Sequence, residues 1–416
     1  MIRTVTVYSC GTPEHALGHL RICAPLRHAG VQVCWHRFGE PFAPEQVAAS
    51  DIVIVQRDFP RDLNGYARLM QAADLYRKPI VLEIDDLLWE LPSNHPDQLT
   101  HAYTDALWPM LLAAMQADAI TVVSPSLAKY LQGIHSQVEV LPNYFDDGLW
   151  HFRPPRSRDD AAVRIGYMGG GSHIPDVQAI VPALTEVLRR YPRTQLIFWG
   201  LPPPAGLEGH PQVVWHPLDT QHYPQFAAYF LQQEFDIFIA PLQDNLFNAC
   251  KSAVKFFECS AVGAAGVCSD VAPYRQVITH GETGFLAKDT ETWIECLGKL
   301  IEQPALRLAM AASAQDAIRQ HWLLSAHAHQ WVERYQQVVA SYQPRERAAS
   351  LTLAAKVQEQ QGQRLHQLEA AWQARLADSE RHGAALQAKL DEIERSRAWR
   401  WVQRFWRWRA RLKPKL

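Results

Sequence analysis

Short apolar segments alternate with longer amphipathic segments along most of the chain. Over residues 1–155 the short segments, rich in Val and Ile, include TVTVYSC, DIVIVQR, PIVLEIDD and AITVVS. The stretches between them, such as YARLMQAADLYRK, carry apolar residues at helical spacing. Strands that alternate with helices in this way predict parallel βαβ units, and therefore an α/β domain over residues 1–155.

The same alternation begins again near residue 162. VRIGYMGG predicts a strand that enters a glycine-rich loop, and TQLIFWG, QVVWHPL, FDIFIAPL and GAAGVCS predict further strands. The intervening segment HFRPPRSRDDAA is rich in proline and charge, which is typical of a linker. We therefore expect a second Rossmann-like domain over residues 162–340, facing the first across a ligand cleft.

The pattern changes after Pro344. Residues 345–394 contain no proline, and their larger apolar residues follow a spacing of three and four: Leu365, Leu368, Trp372, Leu376, Leu386, Leu390 and Ile393. This spacing predicts a long helix with coiled-coil tendency. Because much of the seam is polar, two alternatives stay open: self-association through a coiled coil, or a solitary charged helix.

The last segment, residues 395–416, is basic and rich in tryptophan. In a helix its charged and aromatic side chains lie on adjacent faces: Arg400, Arg404, Arg407 and Arg411 on one, Trp401, Phe405 and Trp408 on the other. A basic, Trp-rich amphipathic helix predicts attachment to an anionic membrane surface. The alternative is that this segment packs on the protein's own surface.

Composition and the N-terminus narrow the function classes. A net charge of −2 argues against nucleic acid as a main partner, and seven scattered cysteines are typical of free thiols in a reducing cytosol. We find no secretory signal in MIRTVTVYSC and no apolar run of transmembrane length. The sequence therefore predicts a cytoplasmic protein, peripheral on the inner face of the membrane.

The residues that suggest chemistry concentrate between Cys250 and Leu286. The strand FDIFIAPL leads through the loop DNLFNACKS into a helix that carries Lys251, Lys255 and Glu258. In a doubly wound sheet ligands bind at the carboxyl ends of strands, and a helix N-terminus with lysines suits a diphosphate. A carboxylate further along the helix can accept both hydroxyls of a ribose. This order predicts a pocket for a nucleoside diphosphate.

This stretch resembles the donor-binding half of the retaining GT-B glycosyltransferases of the group 1 (family-4-like) class, which build bacterial surface polysaccharides. The resemblance covers roughly residues 1–340. It implies two Rossmann-like domains, with the donor bound by the C-terminal one and the acceptor by the N-terminal one. In that class a Glu-x7-Glu pair brackets the nucleotide-sugar. Glu258 matches the second glutamate, whereas Cys250 occupies the position of the first.

The resemblance also suggests how the diphosphate is held. Many relatives have an Arg and a Lys after the first strand of this domain, but GGGSHIPD has neither, so Lys251 and Lys255 would take over that role. The backbone of Gly170, Gly171 and Ser172 would approach the phosphate oxygens closely. The alternative for this loop is a tight turn that binds nothing. The class needs no metal or other cofactor, only the nucleotide-diphosphate sugar as co-substrate.

On the acceptor side Asp85 stands where relatives often have a histidine against the reacting sugar. Asp85 would orient an acceptor hydroxyl or support positive charge on the anomeric carbon. A helix N-cap is the alternative for Asp85 and is favoured for Asp86. The loop Gly11–His19 resembles the acceptor-side glycine loop, with Gly18 near the cleft. Arg21 would contact a phosphate or else be a surface group.

We therefore expect an enzyme that transfers a sugar from a nucleotide-diphosphate donor to a lipid-linked or lipopolysaccharide glycan, with retention of configuration. The absence of the first glutamate leaves an alternative, a non-catalytic GT-B-like subunit that binds a glycan or a partner enzyme. An epimerase of the same fold ranks lower, because it would need no membrane-binding tail.

Overall fold

The computed structural model describes residues 2–59, 61, 63–156, 162–218, 222–395 and 397–411, without the side chains of 348, 349, 394, 397, 398 and 408–411. The chain forms two compact units, Met1–Ala349 and Ser350–Leu416. The first contains both sheets, and the second is helical.

The first sheet consists entirely of parallel neighbours. Its strands, in chain order, are β1 (Thr4–Ser9), β2 (Gln32–Arg37), β3 (Ile52–Gln56), β4 (Ile80–Ile84), β5 (Ala119–Val122) and β6 (Val138–Val140). They lie in the order β2-β1-β3-β4-β5-β6. Every residue of β3, β4 and β5 is buried, as expected for central strands that are covered by helices on both faces.

The second sheet repeats this design. Its strands are β7 (Arg164–Gly169), β8 (Gln195–Gly200), β9 (Val213–His216), β10 (Ile237–Ala240), β11 (Ala265–Ser269) and β12 (Phe285–Ala287). They lie in the order β12-β11-β10-β7-β8-β9, again with parallel pairs. The prediction of two doubly wound halves, each with its own parallel sheet, is confirmed.

Helices connect the strands in both halves. Those of the first half are α1 (Ala16–Gly18), α2 (Ala24–His28), α3 (Pro44–Ala49), α4 (Leu63–Leu75), α5 (Pro96–Leu99), α6 (Leu107–Gln116) and α7 (Pro125–Leu131). A π-helical turn, His19–Cys23, joins α1 to α2. Those of the second half are α8 (Ile174–Ala179), α9 (Val181–Arg190), α10 (Tyr223–Phe230), α11 (Leu246–Ala249), α12 (Val254–Ala261), α13 (Ala272–Arg275), α14 (Thr290–Glu302) and α15 (Pro304–His321).

The chain then returns to the first sheet. Two more helices, α16 (Leu324–His327) and α17 (His329–Ser341), pack in the same hydrophobic cluster as β1 and α2. Trp331 is fully buried there and donates its indole N–H to the carbonyl of Arg21. The last helices of the predicted second domain, residues 162–340, therefore belong to the core of the first half.

The two segments that connect the halves, at Phe145 and at Trp322–Leu324, lie against each other. Phe145 N–H donates to the Trp322 carbonyl at 2.8 Å, and Leu324 N–H donates to the Phe145 carbonyl at 2.8 Å. Phe145 and Leu323 form a parallel bridge. The outgoing and returning segments are thus held side by side by backbone hydrogen bonds.

The second unit contains most of α18 (Ala348–Arg395) and all of α19 (Arg397–Arg411). The large apolar side chains of the predicted seam are more than half exposed along the 48-residue α18. Trp401 and Phe405 are exposed on α19, whereas the side chains of Trp408 and Arg411 lie outside the described part. No helix in the described ranges has both the length and the hydrophobicity needed to cross a bilayer.

Candidate active site

A cleft of about 650 Å³ lies between the carboxyl ends of the two sheets. The first half contributes residues that follow β1, β4 and β6, such as His15, Asp85 and Asn143. The second half contributes the loop after β7 and the start of α12. Ligands of doubly wound sheets bind at this edge, so the cleft is the candidate active site.

Glu258 lies on the inward face of α12 and lines the cleft. Its side chain is buried, and Tyr223 donates its hydroxyl to Oε1 at 2.9 Å. Burial raises the pKa of Glu258 to about 7, although the nearby ammonium of Lys255 opposes the shift. The carboxyl group therefore gains or loses its proton near neutral pH, which makes its hydrogen bonding to a ligand sensitive to pH.

Lys255, one turn earlier on α12, reaches the end of β7. Its Nζ donates to the Met168 carbonyl at 2.7 Å and lies 5.6 Å from the ring centroid of Tyr167. A Cβ at Gly169 would stand 3.1 Å from this Nζ and 2.5 Å from the Tyr167 hydroxyl. Glycine is thus what lets the lysine lie against the strand end. Burial lowers the pKa of Lys255.

Lys251 instead links the two halves. Its Nζ lies 3.1 Å from Asp86 Oδ1 and 4.3 Å from the ring centroid of Phe247. Asp86 is therefore an ion-pair partner. The N-cap predicted for it is wrong, since the following turn is capped by Leu87 without a side-chain hydrogen bond. Burial raises the pKa of Asp86, but Lys251 and Arg57 outweigh burial and lower it.

Asp85 faces the cleft beside Asp86. Arg57 Nη1 lies 3.6 Å from Asp85 Oδ1, and that oxygen has no hydrogen-bond partner among the described residues. Burial, helped by the charge of Asp86, raises the pKa of Asp85 against the opposing charge of Arg57. Arg57 follows β3 with a φ of 51°, a conformation uncommon for a residue with a side chain, and it donates to Tyr103 at 2.5 Å.

The glycine loop after β7 lies at the mouth of the cleft. Gly170 and Gly171 are exposed and line it, and nothing stands within 4 Å of where a Cβ would be on either. Ser172 is not among the lining residues, so its predicted contact is not supported. His173 does line the cleft and bonds through Nδ1 to Asp176 Oδ2 at 2.9 Å. Burial lowers the pKa of His173 to about 4, with Lys255 and Lys251 adding to the shift, so the ring is neutral at pH 7.

Arg21 is not the surface group that one alternative predicted. It is 1% exposed, and its Nε donates to Glu83 Oε1 at 2.6 Å. Its Nη1 donates to Asn143 Oδ1 at 3.0 Å and to the Leu141 carbonyl. Glu83 is itself fully buried and neutralises the guanidinium. Arg21 thus has structural partners. It also borders the cleft, and its Nη2 has no hydrogen-bond partner among the described residues, so its phosphate contact stays a prediction.

Gly18 is required for the close packing of its neighbours. A Cβ there would lie 2.4 Å from the Thr12 carbonyl oxygen and 3.0 Å from the Trp35 ring, so only glycine lets these groups approach. Gly18 is not among the residues that line the cleft, and its acceptor-side role stays a prediction. His15 and Leu20, its neighbours in the same segment, line the cleft instead.

Cys250 occupies the position of the missing glutamate. Its side chain is fully buried, and burial raises the pKa of the thiol to about 11. The Cys250 carbonyl accepts a hydrogen bond from Ser124 Oγ at 2.7 Å, a contact between the two halves. A neutral, buried thiol cannot replace a carboxylate in the cleft.

Two cleft residues, His173 and Tyr223, escaped prediction from the sequence, as did Arg57, which lies beside the cleft residue Asp85. The partners of Arg57 and Tyr223, Asp85 and Glu258, lie far along the chain, whereas His173 pairs locally with Asp176. Within the described residues no group of three or more His, Cys, Asp or Glu side chains is arranged to hold a metal ion.

The family comparison covers the half that carries Lys251, Lys255 and Glu258. The profile of the family described as "Glycosyl transferase-like" matches residues 183–333. The segment that carries these three residues is therefore similar to glycosyltransferases. No curated protein matches its sequence significantly.

Solved structures identify the fold of the chain. HepE of Anabaena, in complex with UDP and glucose, is 14% identical with a TM-score of 0.56, and the match covers 81% of this chain and 100% of that one. Sucrose-phosphate synthase from Thermosynechococcus elongatus is 13% identical with a TM-score of 0.56, over 82% and 100%. A glycosyltransferase from Rickettsia africae is 11% identical with a TM-score of 0.54, over 82% and 99%. The chain has the GT-B fold.

Proposed function

We propose that the protein is a glycosyltransferase, which transfers a sugar from a nucleoside-diphosphate donor to a glycan acceptor with retention of configuration. The observation that carries the proposal is the placement of Lys255 and Glu258 on one helix, facing the loop Gly169–Gly171 across the cleft. A structure of HepE contains UDP-glucose, which supports a UDP-sugar as the first donor to test.

The donor is held mainly by the second half. Glu258 accepts hydrogen bonds from the ribose hydroxyls, and its pKa near 7 falls when they bind the ionised form. Lys255 and the first N–H groups of α12 face the diphosphate, where positive charge and unpaired donors favour an anion. The exposed backbone of Gly170 and Gly171 leaves room for phosphate oxygens to approach.

The reacting end of the donor lies nearer the first half. Asp85 lines the cleft and has a carboxylate oxygen without a hydrogen-bond partner in the described part of the chain. That oxygen can accept a proton from an acceptor hydroxyl or face the anomeric carbon as positive charge develops. Arg57 fixes the position of this carboxylate.

The buried thiol of Cys250 favours one alternative, a GT-B protein that binds a nucleotide-sugar or glycan without transferring it. In this alternative the second half keeps its donor site, but the contact of the first glutamate with the sugar is missing. Release of nucleoside diphosphate from a bound donor separates the two functions, because only the enzyme breaks the glycosidic bond.

The donor site is tested by thermal stabilisation of the full chain with UDP-, GDP- and CMP-sugars. A donor at 100 times its dissociation constant should add about 2.7 kcal/mol to the free energy of unfolding. Glu258→Gln should weaken binding about tenfold or more at pH 8, since hydrogen bonds to a charged group contribute about 1.5–3 kcal/mol. Exposed Glu291, on α14 in the same half, supplies the matched control Glu291→Gln.

The pH dependence sharpens this test. Since the donor binds the ionised carboxylate, affinity should rise as pH increases through about 7, the pKa of Glu258, and level off above it. Glu258→Gln should flatten this profile, whereas Glu291→Gln should keep it. The absence of stabilisation by every nucleotide-sugar would contradict the donor site.

We further propose that the enzyme acts at the cytoplasmic face of a membrane, on a lipid-linked or lipopolysaccharide glycan, and that α19 attaches it there. The proposal is supported by the exposed Trp401, Trp406 and Val402 beside a row of arginines. Aromatic and basic side chains on adjacent faces suit the interface between headgroups and acyl chains. Each basic residue near an anionic surface contributes about 1 kcal/mol.

The attachment should depend on the basic face. Changing four tail arginines to glutamate should reduce co-sedimentation with anionic liposomes at least tenfold: Arg400, Arg404, Arg407 and Arg411. A control with the same change of charge replaces four exposed arginines of the first unit: Arg27, Arg37, Arg68 and Arg193. Equal sedimentation of the tail variant and the native chain would overturn the membrane proposal. Binding of the native chain to liposomes of neutral lipid measures the contribution of Trp burial without that of charge attraction.

A further inference from the structure

Along α18 the exposed apolar side chains form one seam, which Ser379 and Gly383 interrupt at its centre. Leu365, Leu368 and Trp372 take the heptad positions a, d and a. The seam restarts as a at Leu376, eleven residues after Leu365, a step that matches 3.67 residues per turn and keeps the same face of the helix. Its later members are Leu386, Leu390 and Ile393, at d, a and d. All seven side chains are at least half exposed.

The charged residues that flank this seam are ordered. Arg364 and Arg375 occupy g positions, and Glu369 and Glu380 occupy the e positions five residues later. The sequence repeats the same step from Lys389 to position 394, which is also glutamate. Thus each of these g positions is basic and each e position five residues on is acidic.

Within one helix these basic and acidic side chains are not placed to pair with each other. Side chains three or four residues apart meet on a helix surface, whereas a spacing of five places them on opposite flanks of the seam. The ion pairs that the described residues of α18 do form are of the first kind, at Asp378 and Asp391. Arg364, Glu369, Arg375 and Glu380 are exposed and form no ion pair with any described residue.

In a two-stranded coiled coil, g of one helix faces e of the next heptad on its partner only when the helices run parallel. An antiparallel pair brings g opposite g and e opposite e, which here means base against base and acid against acid. A parallel pair in register turns Arg364–Glu369 and Arg375–Glu380 into attractive contacts, each formed twice.

We infer that α18 pairs with α18 of a second copy of this chain, parallel and in register, over residues 364–394. The apolar seam supplies the contact, and the charges fix the orientation. Ser379 and Gly383 at the d and a positions of its centre weaken the seam, so the dimer is reversible. The pairing brings both copies of α19 to the same end, and it does not depend on the transfer reaction.

The self-association is tested on the full chain by sedimentation equilibrium. The native protein should form dimers, and Leu386→Asp with Leu390→Asp should weaken dimerisation at least a hundredfold. The control places the same charges at the outward positions b and f, as Ala384→Asp with Ala388→Asp, and should dimerise normally. A monomeric native chain at 100 µM, or equal loss in both variants, would overturn the inference.

Charge reversal tests the proposed contacts between the helices. Arg375→Glu should weaken dimerisation about tenfold, because an attractive contact becomes repulsive on both sides of the seam. Adding Glu380→Arg should restore it, since the pair is then inverted but complementary. Arg381→Glu, at the outward f position, should leave the dissociation constant within about twofold. Lack of rescue by Glu380→Arg would contradict the g-to-e pairing.

Disulfide formation tests the orientation. All seven native cysteines lie between residues 10 and 296, so a cysteine in α18 reports on α18 alone once native-chain background is subtracted. Leu390→Cys should cross-link to its own copy under mild oxidation, because a positions face each other in a parallel pair. Ala388→Cys should not. A dimer by sedimentation that fails to cross-link through Leu390→Cys would show an antiparallel or a different interface.

Discussion

Replacing Lys255 by methionine is expected to lower the turnover number about 10²–10³-fold, the usual effect of removing one group that stabilises developing negative charge. The lysine lies at the first turn of α12 with its Nζ 2.7 Å from the Met168 carbonyl, so it is held in place before the donor arrives. When the bond to the sugar breaks, the diphosphate gains charge, and a fixed cation favours that change over the bound ground state. Methionine keeps the length of the stem and removes only the charge.

The measurement is the turnover number at saturating donor, together with the melting temperature. Lys299→Met is the matched control, because Lys299 lies in the same half and pairs with Glu295 at an exposed position. It should leave both quantities unchanged. Lys251→Met should have an intermediate effect, since that lysine already pairs with Asp86. Normal turnover of Lys255→Met with an early melt would make Lys255 a structural residue.

Replacing Arg21 by methionine is expected to reduce the free energy of unfolding by about 3–5 kcal/mol. The substitution leaves Glu83 fully buried with no cation beside it, and burial already raises the pKa of this carboxyl against the effect of Arg21. An unpaired buried charge costs several kcal/mol or takes up a proton. The variant should therefore melt well below the native protein.

Chemical denaturation measures this loss, and two further variants interpret it. Arg27→Met, at an exposed position of the following helix, should be nearly neutral. Arg21→Met combined with Glu83→Gln should recover a large part of the stability, since the second change removes the orphaned charge. A stable Arg21→Met protein with lost acceptor affinity would instead restore the predicted phosphate contact.

The layout of both halves was predictable because strand and helix periods are local signals. The runs of Val and Ile and the helical stretches predicted the two sheets, and the order of loop, lysines and glutamate predicted residues that line one side of the cleft. What escaped depends on contacts between distant residues. Arg57 meets Asp85 only because β3 and β4 are neighbours, and the burial of Arg21 follows from Glu83 on the adjacent strand and Trp331 on α17.

The paired crossings at Phe145 and Leu323 have a mechanical consequence. Two separate linkers would let the halves twist and slide as well as open. Here the two segments are joined by backbone hydrogen bonds on both sides of Phe145, so they bend together. We therefore expect the cleft to widen by a hinge rotation about these two segments. Tyr223 N–H donates to the Glu14 carbonyl, a further backbone hydrogen bond between the halves. The Lys251–Asp86 ion pair joins the two halves across the cleft, so it must break before the cleft opens wide.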